Sequence, residues 1–437
     1  MSRLFWAVLA ALALTTPAQA AVEIQEVTSP GGITAWLVEE HSIPFVALEL
    51  RFKGGASLDE PGKRGAINLM TGLIEEGAGD LDARGFAAAQ EALAARYSFD
   101  VYDDALSISA RFLTENRDAS VDLLKSALTE PRFDADAVER VRGQVLSIIR
   151  SDAKDPDKIA SATFDRMVYG GHPYASSPNG TLESVNALTR DDIVTAHRNV
   201  LTRDHLYVSV VGDITAQEVG VLLDNLLGDL PATGVPLPGP AEVSFDGSVT
   251  VVPYETPQSV ALFGHHGIPR DDPDFFPAFV LNTVLGASSF DSRLMVEVRE
   301  KRGLTYGIYT SLAAKDNADL LVGRVASAND RIGETIEVIR AEWARIAAEG
   351  ISEEELENAI TYLTGAYPLR FDGNARIAGI MAGMQMSDMP IDYITTRNDK
   401  VRAVTMEDIK RVADLLFDPE RLSFVVVGQP EGLETTN

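Results

Sequence analysis

The sequence contains no cysteine. Disulfide bonds, thiolate nucleophiles and thiolate metal sites are therefore excluded together. The six histidines are His41, His172, His197, His205, His265 and His266. No two of them stand four residues apart, so none forms the pair of ligands that one face of a helix could present to a metal. The adjacent His265 and His266 would point to opposite faces of a strand, which favours separate packing or solvent roles.

Other sequence signatures of chemistry are missing as well. There is no GxSxG elbow, phosphate-binding loop or dinucleotide fingerprint. Basic residues are scarce, since 38 Lys and Arg stand against 65 Asp and Glu, for a formal net charge of −27. A surface of this sign repels phosphate backbones and anionic membranes, so we expect neither nucleic acid nor a membrane as a partner. A generally acidic, solvated surface already accounts for the charge.

The one long apolar run lies at the N-terminus. Arg3 is followed by the apolar stretch Leu4 to Leu14, which is too short to span a bilayer, and then by small residues typical of a cleavage site. We therefore interpret residues 1–20 as a secretory signal peptide cleaved between Ala20 and Ala21, with a short N-terminal anchor as the alternative. This predicts an exported, periplasmic protein.

The sequence matches itself across its two halves. Val185 to Gly212 aligns without gaps onto Val401 to Gly428, with Thr189 falling on Thr405. Each copy is predicted to be a helix capped by its threonine, with an acidic first turn that suits the helix dipole, followed by a buried β-branched strand.

Weaker matches extend the repeat beyond this unit. Val46-Ala47-Leu48 resembles Val260-Ala261-Leu262, and the helix predicted to begin near Asp134 resembles the one predicted to begin near Ser352. The period is too long for a solenoid, so it indicates a duplicated domain and two similar lobes with a cleft between them.

The linker between the repeated domains is marked by composition. Pro231 to Pro240 (PATGVPLPGP) is rich in proline and glycine and has no apolar period. With roughly 415 residues after signal cleavage, at least two domains are expected. We assign residues 21–230 to an N-terminal domain, 231–247 to the linker and 248–437 to a C-terminal domain.

Each half mixes strands with helices. It begins with alternating strands, as in Thr34 to Phe52, continues through amphipathic helices such as Phe86 to Ala95, and ends with the strand of the repeat. This pattern predicts the α+β class, as two homologous domains that each pack a mixed β-sheet with α-helices.

From Phe52 onward, FKGGASLDEPGKRGAINLMTGLIEEGAGD resembles the zinc-binding segment of the M16 peptidase family, the pitrilysin and mitochondrial-processing-peptidase type. In active members the helix carries His-x-x-Glu-His, whose histidines bind zinc and whose glutamate activates water. Those places hold Asn68, Thr71 and Gly72, which offer a feeble ligand, no carboxylate base and no side chain. The resemblance therefore implies a degenerate metal site and no metal bound by this chain.

Two further positions bear on this metal site. A later glutamate ligand of the family is replaced within Gln144 to Arg150 (QVLSIIR), where Ile148 is the aligned residue. Glu75 and Glu76 lie one turn beyond the degenerate motif. Without histidine partners they are interpreted as a solvated helix face.

In the second half, GASSFDSRLMVEVREKRGLTYGIYTSL from Gly286 to Leu312 resembles the C-terminal signature of the same family. The resemblance implies that Tyr306 steadies the substrate carbonyl or its developing oxyanion, and that Arg299 positions substrate and tyrosine. The competing interpretation is a salt-bridged helix arginine and an ordinary strand aromatic. Gly286 to Ser289 resembles a shortened glycine-rich segment of non-catalytic processing-peptidase subunits, although a helix C-cap explains Gly286 sufficiently.

The resemblance implies the zinc-less subunit of an exported M16 metallopeptidase, as a heterodimer or dimer of heterodimers. The partner subunit would carry the zinc, and a peptide substrate would lie as an extra strand on a sheet edge. The alternative is a non-catalytic scaffold or peptide-binding protein. A third reading is a self-associating peptidase that uses unrecognised carboxylates.

Overall fold

The computed structural model describes residues 23–287 and 291–436. The predicted signal peptide and its cleavage point between Ala20 and Ala21 lie outside the described residues. Within those two ranges, no helix combines the length and the apolar character needed to cross a membrane. The chain folds into two halves, each built on its own β-sheet.

The N-terminal half combines a six-stranded sheet, a two-stranded ribbon and helices. Its strands are β1 (Gln25–Thr28), β2 (Thr34–Glu39), β3 (Phe45–Lys53), β4 (Gly77–Ala78), β5 (Leu81–Asp82), β6 (Arg96–Val101), β7 (Ala105–Leu113) and β8 (Leu206–Gly212). Its helices are α1 (Ala66–Thr71), α2 (Ala83–Ala92), α3 (Arg117–Thr129), α4 (Ala135–Asp152), α5 (Pro156–Tyr169), α6 (Leu182–Ala187), α7 (Arg190–Val200) and α8 (Ala216–Leu227).

The C-terminal half has a five-stranded sheet. Its strands are β9 (Val249–Pro253), β10 (Gln258–His266), β11 (Ile308–Lys315), β12 (Ala318–Ala328) and β13 (Ser423–Gly428). Its helices are α9 (Phe275–Leu285), α10 (Ile332–Glu349), α11 (Glu353–Ala366), α12 (Asn374–Met386), α13 (Tyr393–Arg402) and α14 (Met406–Leu416). The α+β class predicted from the sequence is confirmed.

The two sheets share one topology. The N-terminal sheet runs β1-β2-β8-β3-β7-β6 and the C-terminal sheet runs β9-β13-β10-β12-β11 in the equivalent direction. In each, one parallel pair (β2 with β8, β9 with β13) adjoins antiparallel neighbours. Among the residues that the structure describes, β1 is the one strand of the first sheet that has no counterpart in the second. The duplication predicted from the self-match therefore extends to strand order and direction.

The repeated helix and strand form as predicted. Thr189 caps α7 and Thr405 caps α14, each through a capping box in which the threonine hydroxyl accepts from the backbone N–H of the third helical residue. The carboxylate of each box, on Asp192 or Asp408, accepts a hydrogen bond from the backbone N–H of its threonine. Both helices lead into fully buried strand ends.

Helix α2 begins three residues before the predicted Phe86. Asp82 caps it by accepting from the backbone N–H of Gly85 at 2.8 Å. The helix ends at Ala92, because Ala94 takes a left-handed φ of 51° and turns the chain into β6. The apolar period located this helix, and its cap residue set its first turn.

The weaker sequence match, of Val46-Ala47-Leu48 with Val260-Ala261-Leu262, is out of register by one residue. Val46 lies opposite Gly212, whereas Val260 lies opposite Val427, the residue before the second glycine of the match. Ala47, and not Val46, is therefore the structural equivalent of Val260. A slip of one residue exchanges the two faces of a strand, so the correct pairing decides which side chains meet the other half.

The central strands of each sheet are buried on both faces, whereas the edge strands β6 and β11 expose residues on one face. The two faces of the central strands are covered by helices of different origin. Helices of the same half cover one face and form the main core of that half. The second face of each sheet is covered by a helix from the other half: α12 packs on β3 and β8, and α5 packs on β10 and β13. The halves are thus interlocked by a reciprocal exchange of helices.

The contact of α12 with the N-terminal sheet is both apolar and polar. Met381 and Met384 pack against Trp36, Ala47 and Val211. The contact also includes hydrogen bonds from Arg51 Nη2 to the Gly379 carbonyl at 3.2 Å and from Gln385 Nε2 to the Val208 carbonyl at 2.9 Å.

The opposite contact, of α5 with the C-terminal sheet, is mainly apolar. Phe164 and Val168 pack against Val260 and Val427. Phe245, at the end of the predicted linker, joins this cluster. The chain between α8 and β9 forms no helix or strand, yet its second part packs into the interface between the halves.

Polar hairpin tips complete the interface. Lys315 donates to Asp103 Oδ2 at 2.7 Å, and its ammonium lies 4.3 Å from the centre of the Tyr174 ring. The Tyr174 hydroxyl donates to Asp104 and accepts from the backbone N–H of Asn317 at 3.2 Å. The β6–β7 turn of one half therefore meets the β11–β12 turn of the other.

Replacing Met381 by alanine should lower the free energy of unfolding by about 2–5 kcal/mol, because its fully buried side chain fills the contact between α12 and the other half. Urea unfolding followed in variants that retain only Trp36 or only Trp343 checks this. Both reporters should shift together, since the halves share this contact. Ile391→Ala, at a side chain 37% exposed, is the matched control and should change stability by less than about 1 kcal/mol. Separate transitions for the two reporters would contradict the interlocked arrangement.

Asp165 on α5 should make stability depend on pH. Burial raises its pKa to about 6, with Asp103 adding to the rise and Lys315 opposing it. Because the folded pKa lies above the unfolded one, folding disfavours the charged carboxylate. Its penalty is absent below about pH 4, grows through pH 6 and is complete at neutral pH.

Asp165→Asn should therefore stabilise the protein by about 2 kcal/mol at pH 7.5 and change it little at pH 4. Urea unfolding at the two pH values measures the difference. Asp414→Asn, at an exposed position on α14, serves as the control. If the substitution changes stability equally at both pH values, the folded state does not disfavour the charged carboxylate of Asp165.

Candidate functional site

The helix that carries the degenerate metal motif is anchored at its N-terminus by a carboxylate. Asp59 accepts hydrogen bonds from the backbone N–H groups of Gly65 and Ile67, both at 2.8 Å. Gly65 has a φ of 94°, which favours glycine at this entry to α1. Burial raises the Asp59 pKa, while these hydrogen bonds and Arg64 oppose the rise.

At two of the three degenerate positions, the side chains of Asn68 and Thr71 make structural contacts. Asn68 Nδ2 donates to Asn179 Oδ1 at 3.2 Å, and Asn179 in turn donates to Asp152 at 3.3 Å. Thr71 is buried and donates its hydroxyl to the Ile67 carbonyl of its own helix at 2.7 Å. Neither side chain therefore serves as a base or presents a strong ligand.

Gly72 ends α1 as its C-cap. A Cβ atom at this position would lie 3.1 Å from Cγ1 of Val141 on α4, a close approach that requires Val141 to move. The space for a histidine at this position is thus partly filled by the neighbouring helix.

The other candidate ligands are also dispersed. Ile148 lies on α4 with 48% of its surface exposed. Glu75 and Glu76 follow the end of α1 in a turn, so the expected helix face is corrected: the helix ends too early to include them. The Arg140 guanidinium donates two hydrogen bonds to the Glu76 carboxylate, at 2.7 and 2.8 Å. Within residues 23–287 and 291–436, no group of three or more His, Cys, Asp or Glu could hold a metal ion.

The histidine pair occupies opposite faces of β10. His265 is 3% exposed, and its Nδ1 lies 3.1 Å from the His266 carbonyl oxygen. The two rings are nearly perpendicular, at 89°. Burial lowers the pKa of both rings, which favours their neutral forms.

Arg299 and Tyr306 lie on one segment that precedes β11. Arg299 is half-buried in a π-helical turn, Met295–Glu300. Tyr306 lies in the following loop with 90% of its surface exposed. The loop is held by Thr305, whose hydroxyl donates to the Ala326 carbonyl at 2.7 Å, so an ordered backbone presents the phenol.

The neighbouring arginines of this segment have structural partners. Arg293 makes two hydrogen bonds to Glu355, at 2.6 and 2.7 Å, and Arg302 binds Glu297 at 2.7 Å. Gly286 caps α9, and a Cβ atom there would lie 2.6 Å from Thr310 Oγ1. The cap predicted for Gly286 is confirmed, whereas Ser289 lies outside the described residues.

Two edge strands adjoin the candidate positions. Strand β6 is the outer strand of the N-terminal sheet and contacts α1, the helix of Asn68 and Thr71. Strand β11 is the outer strand of the C-terminal sheet and follows directly from the loop of Tyr306. An edge strand has one row of unpaired backbone groups available to another strand.

The C-terminal half also contains a cleft of about 500 Å³ that no sequence pattern predicted. It is lined by aromatic side chains and by Arg270, Arg370, Arg376 and Arg397. Its lining comes from α9, α12, α13 and the loops around them. Because these segments are far apart in the sequence, no motif or spacing marks the group. The Arg-x₅-Arg spacing of two of them is too common to indicate a site.

Comparison with known families and structures accords with this architecture. A model of the Peptidase M16 inactive domain matches residues 187–363, and a model of Insulinase (Peptidase family M16) matches residues 35–180. Together they match more than half of the chain.

Similar proteins extend along nearly all of the chain. The non-peptidase homolog YmxG of Helicobacter pylori is 26% identical over 390 residues, which is 89% of this chain and 90% of the relative. An uncharacterized zinc protease of Streptomyces coelicolor is 24% identical over 417 residues, which is 92% of this chain and 89% of the relative.

The crystal structure of a peptidase M16 inactive domain from Pseudomonas fluorescens superposes with a TM-score of 0.88 and 25% identity, covering 95% of this chain and 100% of that one. Since both domain models and these full-length likenesses point to the same family, this chain belongs to the M16 peptidase family.

Proposed function

We propose that this chain is the zinc-less subunit of an exported two-chain M16 metallopeptidase, in which Arg299 and Tyr306 complete an active site on a zinc-bearing partner. The observation that carries the proposal is the 90% exposure of Tyr306 on a loop fixed by Thr305. A buried phenol could only support this fold, whereas an exposed, ordered one can reach a substrate on a second chain.

The residues at the three degenerate positions do not fit a zinc ion. Asn68 is engaged by Asn179, Thr71 bonds to its own helix, and Gly72 is crowded by Val141. Any zinc of the complex would therefore be held by the partner, where it would activate water for peptide hydrolysis. This chain would contribute substrate binding and charge stabilisation.

The chemistry of the proposed pair follows from its groups. The Tyr306 phenol can donate a directed hydrogen bond to the oxygen of the scissile carbonyl, on which negative charge develops during attack. The Arg299 guanidinium keeps its charge and can hold a substrate carbonyl or the phenol in place. Both effects strengthen when the two subunits close and exclude water.

An extended peptide would be held by backbone pairing. Strand β6 beside α1 and strand β11 beside Tyr306 each offer an unpaired edge. Adding a strand to such an edge uses main-chain hydrogen bonds and tolerates many side chains. The net charge of −27 would add some preference for basic peptides.

A second candidate function is a non-catalytic scaffold or peptide-binding protein. It is favoured by the contacts that have replaced the metal motif, and one relative carries the name non-peptidase homolog. On that account Tyr306 is exposed without acting on a substrate. The two candidates differ in whether the tyrosine hydroxyl affects turnover.

Tyr306→Phe should lower kcat of the reconstituted pair by about 10²–10³-fold, as expected for loss of one oxyanion donor, and leave assembly intact. Peptide hydrolysis and size-exclusion chromatography of the same preparations measure the two quantities. Tyr309→Phe is the matched control, because Tyr309 is also exposed (48%) and lies three residues away on β11. Wild-type turnover with Tyr306→Phe would favour the scaffold.

The zinc content of the separated chains should be unequal. Purified alone, this chain should contain substoichiometric zinc and cleave no peptide, whereas the complex with its partner should hold about one zinc per partner chain. Inductively coupled plasma mass spectrometry of each preparation tests this. Stoichiometric zinc in this chain alone would overturn the assignment of the subunits.

A further inference from the structure

The arginine-lined cleft of the C-terminal half concentrates positive charge in a strongly acidic chain. Within residues 23–287 and 291–436, its arginines form no ion pair with a carboxylate; they are Arg270, Arg370, Arg376 and Arg397. The chain has 65 acidic residues, so counter-charges are plentiful elsewhere. No carboxylate is among the residues that line this cleft, so its interior attracts an anion.

The innermost of these arginines is almost fully buried. Arg397 is 5% exposed and donates to the Leu363 carbonyl at 2.8 Å and to Asn398 Oδ1 at 2.9 Å. Burial lowers its pKa, and the nearby charges of Arg370 and Arg270 lower it further. Neutral oxygens and the Tyr367 ring, whose centre lies 4.4 Å from the guanidinium carbon, stabilise Arg397. None of these partners supplies a counter-charge, and a buried cation without one is costly.

The rest of the group lies nearer the solvent. Arg270 donates to the Tyr393 hydroxyl at 2.9 Å and lies over the Phe275 ring at 4.3 Å. Arg370 and Arg376 are exposed and make no hydrogen bond through their side chains within the described residues. These two guanidinium groups are therefore free to turn toward a ligand.

The walls between the arginines are aromatic. Phe276, Phe279, Tyr367 and Phe371 line the cleft, with Tyr367 and Phe371 in edge-to-face contact at 5.1 Å. A volume of about 500 Å³ falls in the range of small-molecule sites. Aromatic walls bind apolar or flat groups, while the planar fork of arginine matches the two oxygens of a carboxylate.

The acidic residues nearest the cleft lie outside it. Asp271, Asp272, Asp388 and Asp408 line an adjoining cleft, which shares Arg270 and Tyr393 with this one. Asp372 lies between two of the arginines in the sequence but does not line the cleft. The space between the arginines and the aromatic rings is thus free of negative charge.

We propose that this cleft binds an organic carboxylate borne on an aromatic or large apolar body, with Arg370 and Arg376 pairing to the carboxylate and the rings enclosing the body. Two sources share this chemistry: a free aromatic acid and the C-terminal residue of a peptide. The site is separate from Arg299 and Tyr306, so it stands whether or not the chain assists a peptidase.

Isothermal titration calorimetry on the full chain, without its signal peptide, tests the proposal with N-acetylphenylalanine and with the corresponding neutral amide. The acid should bind at least about tenfold more tightly than the amide. A higher salt concentration should weaken binding of the acid but not binding of the amide. Equal binding of acid and amide, or no binding of the acid at millimolar concentration, would overturn the proposal.

A double variant, Arg370→Gln with Arg376→Gln, should abolish the preference for the acid. Both side chains are exposed, so the fold should be retained, as a thermal unfolding curve can verify. Arg402→Gln is the matched control, since Arg402 on α13 is exposed, pairs with Asp399 at 3.0 Å and does not line the cleft. Retained preference in the double variant, or equal loss in the control, would refute the site.

A further titration separates the two sources. A tetrapeptide ending in phenylalanine with a free carboxylate is compared with N-acetylphenylalanine. Tighter binding of the peptide, lost on C-terminal amidation, supports a peptide terminus as the ligand. Equal or tighter binding of the single acid supports a free aromatic acid.

Discussion

In each sheet, one face is covered by helices of the same half. The structure depends on the burial of the second face by a helix from the opposite half. An α+β domain that covers only one face of its sheet leaves the other apolar face in water. Here α12 covers Ala47 and Val211 in the first sheet, and α5 covers Val260 and Val427 in the second. Because each half supplies the helix that the other needs, neither has a complete core without its neighbour. The duplication is therefore also a mutual dependence.

This exchange fixes the relative positions of the surfaces on which function would rest. The two outer strands β6 and β11 carry the hairpin turns that meet through Lys315, Asp103 and Tyr174. The helix of the degenerate motif lies beside β6, and the loop of Tyr306 leads into β11. The chain thus holds the helix of the degenerate motif and its exposed tyrosine on a single interlocked body.

The positions of the degenerate metal motif take part in local packing and hydrogen bonding. Asn68 joins a hydrogen-bonded series with Asn179 and Asp152, and Val141 fills the space next to Gly72. Buried polar groups require hydrogen-bond partners, and the polar side chains at these positions have them. In the C-terminal half, by contrast, the Tyr306 ring remains in solvent. The arginine-lined cleft is a third, independent feature, formed by helices α9, α12 and α13 of the C-terminal half.

The sequence by itself determined the duplicated α+β class, the capped helix before each final strand and the family resemblance, because these depend on local periodicity, caps and contiguous motifs. It located helix α2 but not its first turn, and it aligned Val46 with Val260 one residue out of register, since a short apolar match does not distinguish the two faces of a strand. Only the tertiary structure decided which helix covers which sheet, and it alone brought Arg270, Arg370, Arg376 and Arg397 into one cleft. Such contacts join residues far apart in the chain, and no local pattern encodes the packing that brings them together.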